Sequence, residues 1–160
     1  PQASLAVVTL AHRAQGLLVQ PGNPKGVRGL ADLARPDVLF VNRQRGSGTR
    51  LLLDYELARA GLAPAAIRGY DREEFTHAAV GIAVRTGAAD VGLGVLAAAQ
   101  ALGLDFVPVA EERYDLLVPT GLLEDPRVAP VLELAAREPF RAALARLGGY
   151  DARENGRRVR

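Results

Sequence analysis

The chain has 160 residues, 49% hydrophobic and 24% charged, with a formal net charge of +2 at pH 7. That supplies a core for one domain or two small lobes and excludes a largely disordered chain. Cysteine is absent, so disulfides, thiolate metal sites and cysteine nucleophiles are excluded, while the redox compartment stays undetermined. The C-terminal RENGRRVR (153–160) carries +3, leaving the rest of the chain near −1. The tail therefore reads as a solvated basic end, and nucleic acid is not expected as a partner of this domain. No apolar run approaches the roughly 20 residues that span a bilayer, so no membrane partner is expected. The opening PQASLAVVTLAHR has neither a basic n-region nor a cleavage site. This points to the cytoplasm, or to the periplasm if a preceding segment carries a signal. Lys25 is the only lysine among 20 basic residues, a bias that suits either a GC-rich genome or a heat-adapted protein.

In chain order, Leu17 to Val19 reads as a short buried strand closed by the Pro21–Pro24 turn. A short amphipathic helix is predicted over Val27 to Leu33, ending before Pro36, and a strand over Val38 to Val41. Thr49 to Ala60 reads as a helix with Leu52, Tyr55, Ala58 and Leu62 near one face and Gly61 as its stop. Ile67 to Tyr70 is the next predicted strand. A helix from Phe75 to Thr86 follows, opened by Glu73 and Glu74 and closed by Gly87. Then come a glycine-bearing strand (Asp90–Gly94), a helix (Leu96–Leu102) and two strands (Phe106–Val109 and Tyr114–Val118). The C-terminal part, from Val128 to Leu147, reads as helical with a break near Pro139. Strands separated by helices imply parallel pairing through right-handed crossovers, hence an α/β fold with an open, mostly parallel twisted sheet. Ligands of such sheets sit beyond the carboxyl ends of strands. Three stretches qualify: Asn42–Thr49, Tyr70–His77 and Gly92–Val95.

The first stretch contains NRQRGSGTR. A P-loop needs G-x-x-x-x-G-K-[ST], and both the spacing and the lysine are missing. A dinucleotide fingerprint needs a third glycine where Leu51 stands. A nucleophile elbow needs glycine two residues before the serine, where Arg45 stands. What remains is a helix start whose amides and dipole favour an anion. Gly46 and Gly48 permit close backbone approach, and the Ser47 and Thr49 hydroxyls can donate. Arg43, Arg45 and Arg50 bias the neighbourhood toward anions. Plain capping by Ser47 or Thr49 explains the same residues. The second stretch, EEFTH, opens another helix where Thr76 and His77 offer a hydroxyl and an imidazole, or where Thr76 caps and His77 is solvated. His12 has no partner at ligand spacing, so no metal is expected. Asp71, Glu73 and Glu74 read as surface acids that favour the helix dipole.

Five segments, LAHRAQGLLVQPGNP, FVNRQRGSGTRLLLD, IRGYDREEFTHAAVGIAV, GAADVGLGVLAAAQALGLDFVPVAEERYDLLVP and FRAALARLGGYD, together resemble the periplasmic-binding-protein-like domain of prokaryotic molybdate-related proteins. The resemblance covers about Leu5 to Asp151. In that family the domain occurs alone, attached to a DNA-binding module, or fused to molybdopterin-biosynthesis proteins. It implies a type II binding-protein fold with a ligand cleft between two lobes and an open–closed equilibrium that an attached module would read. Molybdate or tungstate would be bound, with no cofactor. By analogy Ser47, Gly48 and Thr49 would supply donors from one helix start, Thr76 and His77 from another, and Val95 would line the same face, with Arg43 and Arg50 adding positive potential. Family members usually carry a further strand–helix stretch ahead of the LAHRAQGLLV-like segment. The resemblance thus implies a crossing segment and partial first lobe (1–36), a complete second lobe (37–110), a return strand with C-terminal helices of the first lobe (111–152) and the basic tail (153–160). A half-formed cleft would expose apolar surface and favour a homodimer.

The expected function is non-catalytic binding or sensing of a small oxyanion. The competing expectation is a sensor of an organic metabolite, with Tyr70 or Tyr114 lining an apolar cleft. An anion-handling enzyme would need a base near Ser47 with an orienting acid, and only His77 is available as that base.

Overall fold

The computed structural model describes residues 4–159. It separates into two units: Ala14–Ala110, and the flanking residues up to Arg13 and from Glu111 onward. The first unit holds all the candidate site residues. Its elements are the end of β1 (Leu5–Val19), β2 (Phe40–Arg43), α1 (Gly48–Arg59), β3 (Glu73–Glu74), α2 (His77–Arg85), β4 (Val91–Val95), α3 (Leu96–Leu102) and the start of β5 (Asp105–Pro119).

The strand order is β3-β2-β4-β1-β5. β2 runs parallel to β3 and β4, with Phe40 opposite Val91, whereas β1 is antiparallel to β4, with Gln15 opposite Val95 and Leu17 opposite Leu93. Two clusters cover the two faces. Leu17, Val19, Phe40, Val91 and Leu93 pack with Leu53 and Leu57 of α1 on one face. On the other, Leu18 and Val41 pack with Val80, Ala83 and Val84 of α2 and Ala99 of α3. α2 reaches the sheet closely because β4 carries glycines: a Cβ on Gly92 would lie 2.4 Å from Val80 Cγ1 and 3.0 Å from Val41 Cγ1.

Local chemistry sets the helix limits. Gly46 takes a positive φ of 85°, and Ser47 caps α1. Thr76 caps α2, and Gly103, left-handed at φ 60°, ends α3.

Several expectations from the sequence need correction. The segment at Ile67 to Tyr70 forms turns, and the strand is the two-residue β3, because the backbone of β2 reaches along this stretch through Phe40 N–H to Arg68 O (2.9 Å) and Asn42 N–H to Arg72 O (2.7 Å). The helix after it opens at His77, so Glu73 and Glu74 are strand residues. The Val27–Leu33 helix is one 3-10 helix over Leu30–Ala34. The two predicted strands at 106–118 are one, β5, at the sheet edge where Pro108 is tolerated. α1 buries Thr49, Arg50, Leu53 and Leu57, while Tyr55 is 61% exposed. The LLL run fits several faces equally, and the tertiary environment chooses among them.

The second unit combines the start of β1 and the end of β5 with α4 (Ala129–Ala136), α5 (Glu138–Leu147), β6 (Tyr150–Asp151) and β7 (Arg158–Val159). The basic C-terminal stretch is built into it. β7 pairs with Val7 and Val8, Asn155 is buried and donates to Leu10 O (2.7 Å), and Arg153 bridges Asp151 and Glu111. His12 meets Glu154 at 2.7 Å and Glu111 at 3.4 Å. Its partners are therefore two carboxylates of this unit, and among the described residues no three His, Asp or Glu side chains are placed so that they could hold a metal ion.

The buried stripe of α1 is checked by truncation. Leu53→Ala is expected to cost about 2–5 kcal/mol in urea unfolding and Tyr55→Ala less than about 1 kcal/mol. Equal losses would contradict the observed helix face.

Candidate functional site

The site follows from strand order. After β2 the chain leaves through α1 to β3 on one side of it, then returns through α2 to β4 on the other side. Right-handed crossovers in opposite directions place α1 and α2 on opposite faces, as the two clusters show. β2 and β4 are therefore neighbours whose following helices diverge, and the crevice at their carboxyl ends is the topological switch point of the sheet. Asn42–Thr49, Tyr70–His77 and Gly92–Val95 all come to this edge.

The two helix starts are tied together there. Gln44 N–H donates to Glu74 O (3.1 Å), and Arg43 Nη2 donates to Phe75 O (3.1 Å), linking the approach to α1 with the approach to α2. Arg43 is buried, and its Nε also donates to Gln44 Oε1 (3.1 Å). Ser47 Oγ accepts from Arg50 N–H (3.2 Å), and Thr76 Oγ1 accepts from Ala79 N–H (2.9 Å). Both hydroxyls therefore cap their helices, and each keeps its O–H proton as a donor. The amides of Gly48 and Thr49 precede the capped one, beyond the reach of any carbonyl of their own helix. Thr49 is buried. His77 is the first residue of α2 and is half-buried. Its Nδ1 lies 3.6 Å from where a Gly94 Cβ would stand, an ordinary contact distance; the side chain that needs this glycine is Leu18, whose Cδ1 would be 2.4 Å away. Val95, 5% exposed, ends β4 and precedes α3.

The arginines are engaged within the protein. Arg50 is 5% exposed; its Nε donates to Asp54 (3.1 Å) and its Nη1 to Glu73 (3.1 Å), and its guanidinium lies 4.2 Å from the centroid of the Tyr70 ring. The Tyr70 hydroxyl donates to Asp54. Burial, followed by the hydrogen bond to the Asp54 carboxylate, raises the Tyr70 pKa above the ordinary phenol value. Burial works against the charged form of Arg50, but Tyr70 and Asp54 outweigh it, and its pKa is raised. Arg45 is largely exposed and faces Asp71 and Glu73, each at 3.7 Å. Acids thus balance the basic side chains beside α1.

Two buried polar residues were not among the sequence candidates. Asn42 bridges locally, its Nδ2 donating to Tyr70 O (3.0 Å) and its Oδ1 accepting from Arg43 N–H (2.9 Å). Gln15 is fully buried on β1, and neither Nε2 nor Oε1 has a partner. The available signal was a glutamine set inside the apolar run of AQGLLV. A cavity of about 460 Å³ is bounded by Pro64, Ile67, Tyr70 and Arg72 beside edge strand β3, and none of its lining residues belongs to the α1 or α2 start. Helix-start donors, rather than volume, mark the candidate site.

Comparison with known proteins agrees with this architecture. The family model of the PBP superfamily domain matches residues 1–136. The uncharacterized protein YvgK of Bacillus subtilis (strain 168) is 36% identical over 151 residues, 94% of this chain and 48% of that protein, so the chain spans about half the length of this relative. An uncharacterized Clostridium pasteurianum protein, from the 5′ region of a ferredoxin 2Fe-2S gene, is 34% identical over 110 residues, 68% of this chain and 97% of that protein. Among solved structures, a substrate-binding domain from Clostridium difficile, named as that of a molybdenum ABC transporter, aligns over 91% of this chain and 66% of its own, with TM-score 0.62 and 17% identity. An ABC-type phosphate transport receptor from Vibrio cholerae aligns over 94% of this chain and 74% of its own, with TM-score 0.60 and 15% identity. At those identities the structural likeness is one of fold.

The Arg50 network yields a stability test. Arg50→Lys keeps the charge but loses the forked contacts and the ring stacking, and is expected to cost about 1–2 kcal/mol, its partly exposed acid partners limiting the loss. A change below about 0.5 kcal/mol in urea unfolding would show that the network carries no stability.

Proposed function

Because this chain belongs to the PBP superfamily and has the type II, open-sheet α/β fold of solute-binding domains, we propose that it is a non-catalytic binder of a small oxyanion, molybdate or tungstate. The ligand sits at the carboxyl edge of β2 and β4. The observation that carries this reading is the pair of capped helix starts, bonded to each other at one switch point. Ser47 and Thr76 donate their hydroxyl protons, Gly48 and Thr49 their amides, and both helix dipoles favour negative charge there. His77 and Val95 border the ligand from the other face and from the end of β4. Arg43 and Arg50 shape the edge and add positive potential, while neighbouring acids balance much of the arginine charge. The ligand then meets mainly neutral donors, which bind a tetrahedral oxyanion without transferring a proton. The molybdenum transporter named for the Clostridium difficile neighbour supports the metal oxyanion, and the phosphate receptor supports the broader class.

An organic-metabolite sensor would draw on aromatic lining. Tyr70 lies beneath Arg50 with its hydroxyl on Asp54, and Tyr114 lies beneath Arg13. Each ring has an arginine over one face, and the cavity that Tyr70 borders has no lining residue from either helix start, which favours the oxyanion.

Calorimetric titration with molybdate, tungstate, sulfate and phosphate is the direct test. Saturable heat with molybdate and tungstate is expected, and no heat with any of the four would end the oxyanion reading. Ser47→Asp separates binding from folding, because aspartate caps helices as well as serine does and suits the dipole. Its urea midpoint should match the parent, while like-charge repulsion weakens molybdate binding more than about 100-fold. Undiminished affinity would place the ligand away from α1.

A further inference from the structure

We propose that the carboxamide of Gln15 is a ligand-reading group of this site, its Nε2 donating to an oxygen of the oxyanion held at the start of α1. The inference rests on the oxyanion reading above and adds a residue from a different strand.

Three observations carry it. Gln15 is fully buried, and both amide heteroatoms lack a hydrogen-bond partner. A carboxamide can make up to four hydrogen bonds, and burying one with none satisfied opposes folding. Packing alone gives no reason for glutamine here, since its neighbours Leu17, Leu18 and Val19 are apolar and equally buried.

The second observation is direction. Alternation along β1 puts Gln15 on the same face as Leu17 and Val19, and these pack in one cluster with Leu53 and Leu57 of α1. The amide is therefore on the side of the sheet that α1 covers.

The third is position. Gln15 lies directly opposite Val95, the last residue of β4. It is thus at the carboxyl edge of the parallel strands, where β2 hands over to α1 and the Gly48 and Thr49 amides are uncovered. A buried orphan amide, on the α1 side and at the α1 end, is where one more neutral donor to an anion belongs. The carboxylates of Asp54 and Glu73, on α1 and on β3, are held by Arg50.

The role predicts opposite signs for stability and binding. Gln15→Leu and Gln15→Met keep the side chain's bulk and remove the unsatisfied atoms. Without ligand their urea midpoints should equal or exceed that of the parent. Molybdate affinity, read by calorimetry on the full chain, should fall at least about tenfold, the loss of one hydrogen bond to a charged group. Parent-like affinity in both variants, or lowered midpoints with binding unchanged, would overturn the role of Gln15 and leave the oxyanion reading standing. No heat from the parent protein with molybdate, tungstate, sulfate or phosphate would overturn the oxyanion reading, and this inference with it.

Discussion

The parallel pairing of β2 with β4, Phe40 beside Val91, is the constraint on which the rest depends. It places consecutive parallel strands on either side of β2, in the order β3-β2-β4, so the chain must cross once in each direction. Handedness then leaves no choice about the faces the helices take. α1 covers one, α2 and α3 the other, and the ends of β2 and β4 are left open between diverging helices. Close approach keeps this arrangement compact. The glycines of β4 let Val80 and Leu18 lie directly against the strand: an added Cβ would stand 2.4 Å from Val80 at Gly92 and 2.4 Å from Leu18 at Gly94. The glycines that read as motif in GLG therefore act through packing on the α2 side.

Polar groups at this edge divide into those committed to the fold and those left to donate. Arg50 is held by two carboxylates and an aromatic ring, and Arg43 is bonded to the carbonyl that precedes the α2 cap. These contacts fix two loops that would otherwise be free to move, and a rigid donor set loses less entropy on binding. The same commitment draws charge away from the crevice. An anion at this edge is then attracted by oriented amides and hydroxyls more than by free guanidinium groups.

Short-range features of the site were legible in the sequence, and long-range ones were not. Ser47 and Thr76 were readable as caps because capping is settled within four residues. The stops at Gly61 and Gly87 follow from positive φ in the same way. The β3 position was not readable, since backbone bonds from β2 decide it and Ile67 to Tyr70 has the more strand-like composition. The buried side of α1 escaped for a related reason, because three consecutive leucines carry no phase and Leu53 is chosen only when the sheet face arrives. The tail arginines Arg153 and Arg157 are exposed, as a solvated end suggests, but nothing in the sequence signals that Asn155 is buried between them or that β7 pairs with β1. Gln15 stood in plain view, but a lone polar residue in an apolar run acquires meaning only once its partners can be counted.

That count separates the kinds of rule-breaking in this molecule. Around Gln15 the unit keeps the usual rules: apolar residues meet on both sheet faces, caps sit at helix starts, and Arg50 and Asn42 have their partners. At Gln15 those rules are broken, since a strong donor and acceptor is buried and left unsatisfied. Such conflicts concentrate at functional positions, where a residue is retained for what it does with a ligand. The position of this one is informative because each neighbouring polar group at the edge already has a protein partner or faces outward from a helix start. On the reading proposed above, a ligand oxygen entering from outside supplies the partner that the fold withholds from Gln15.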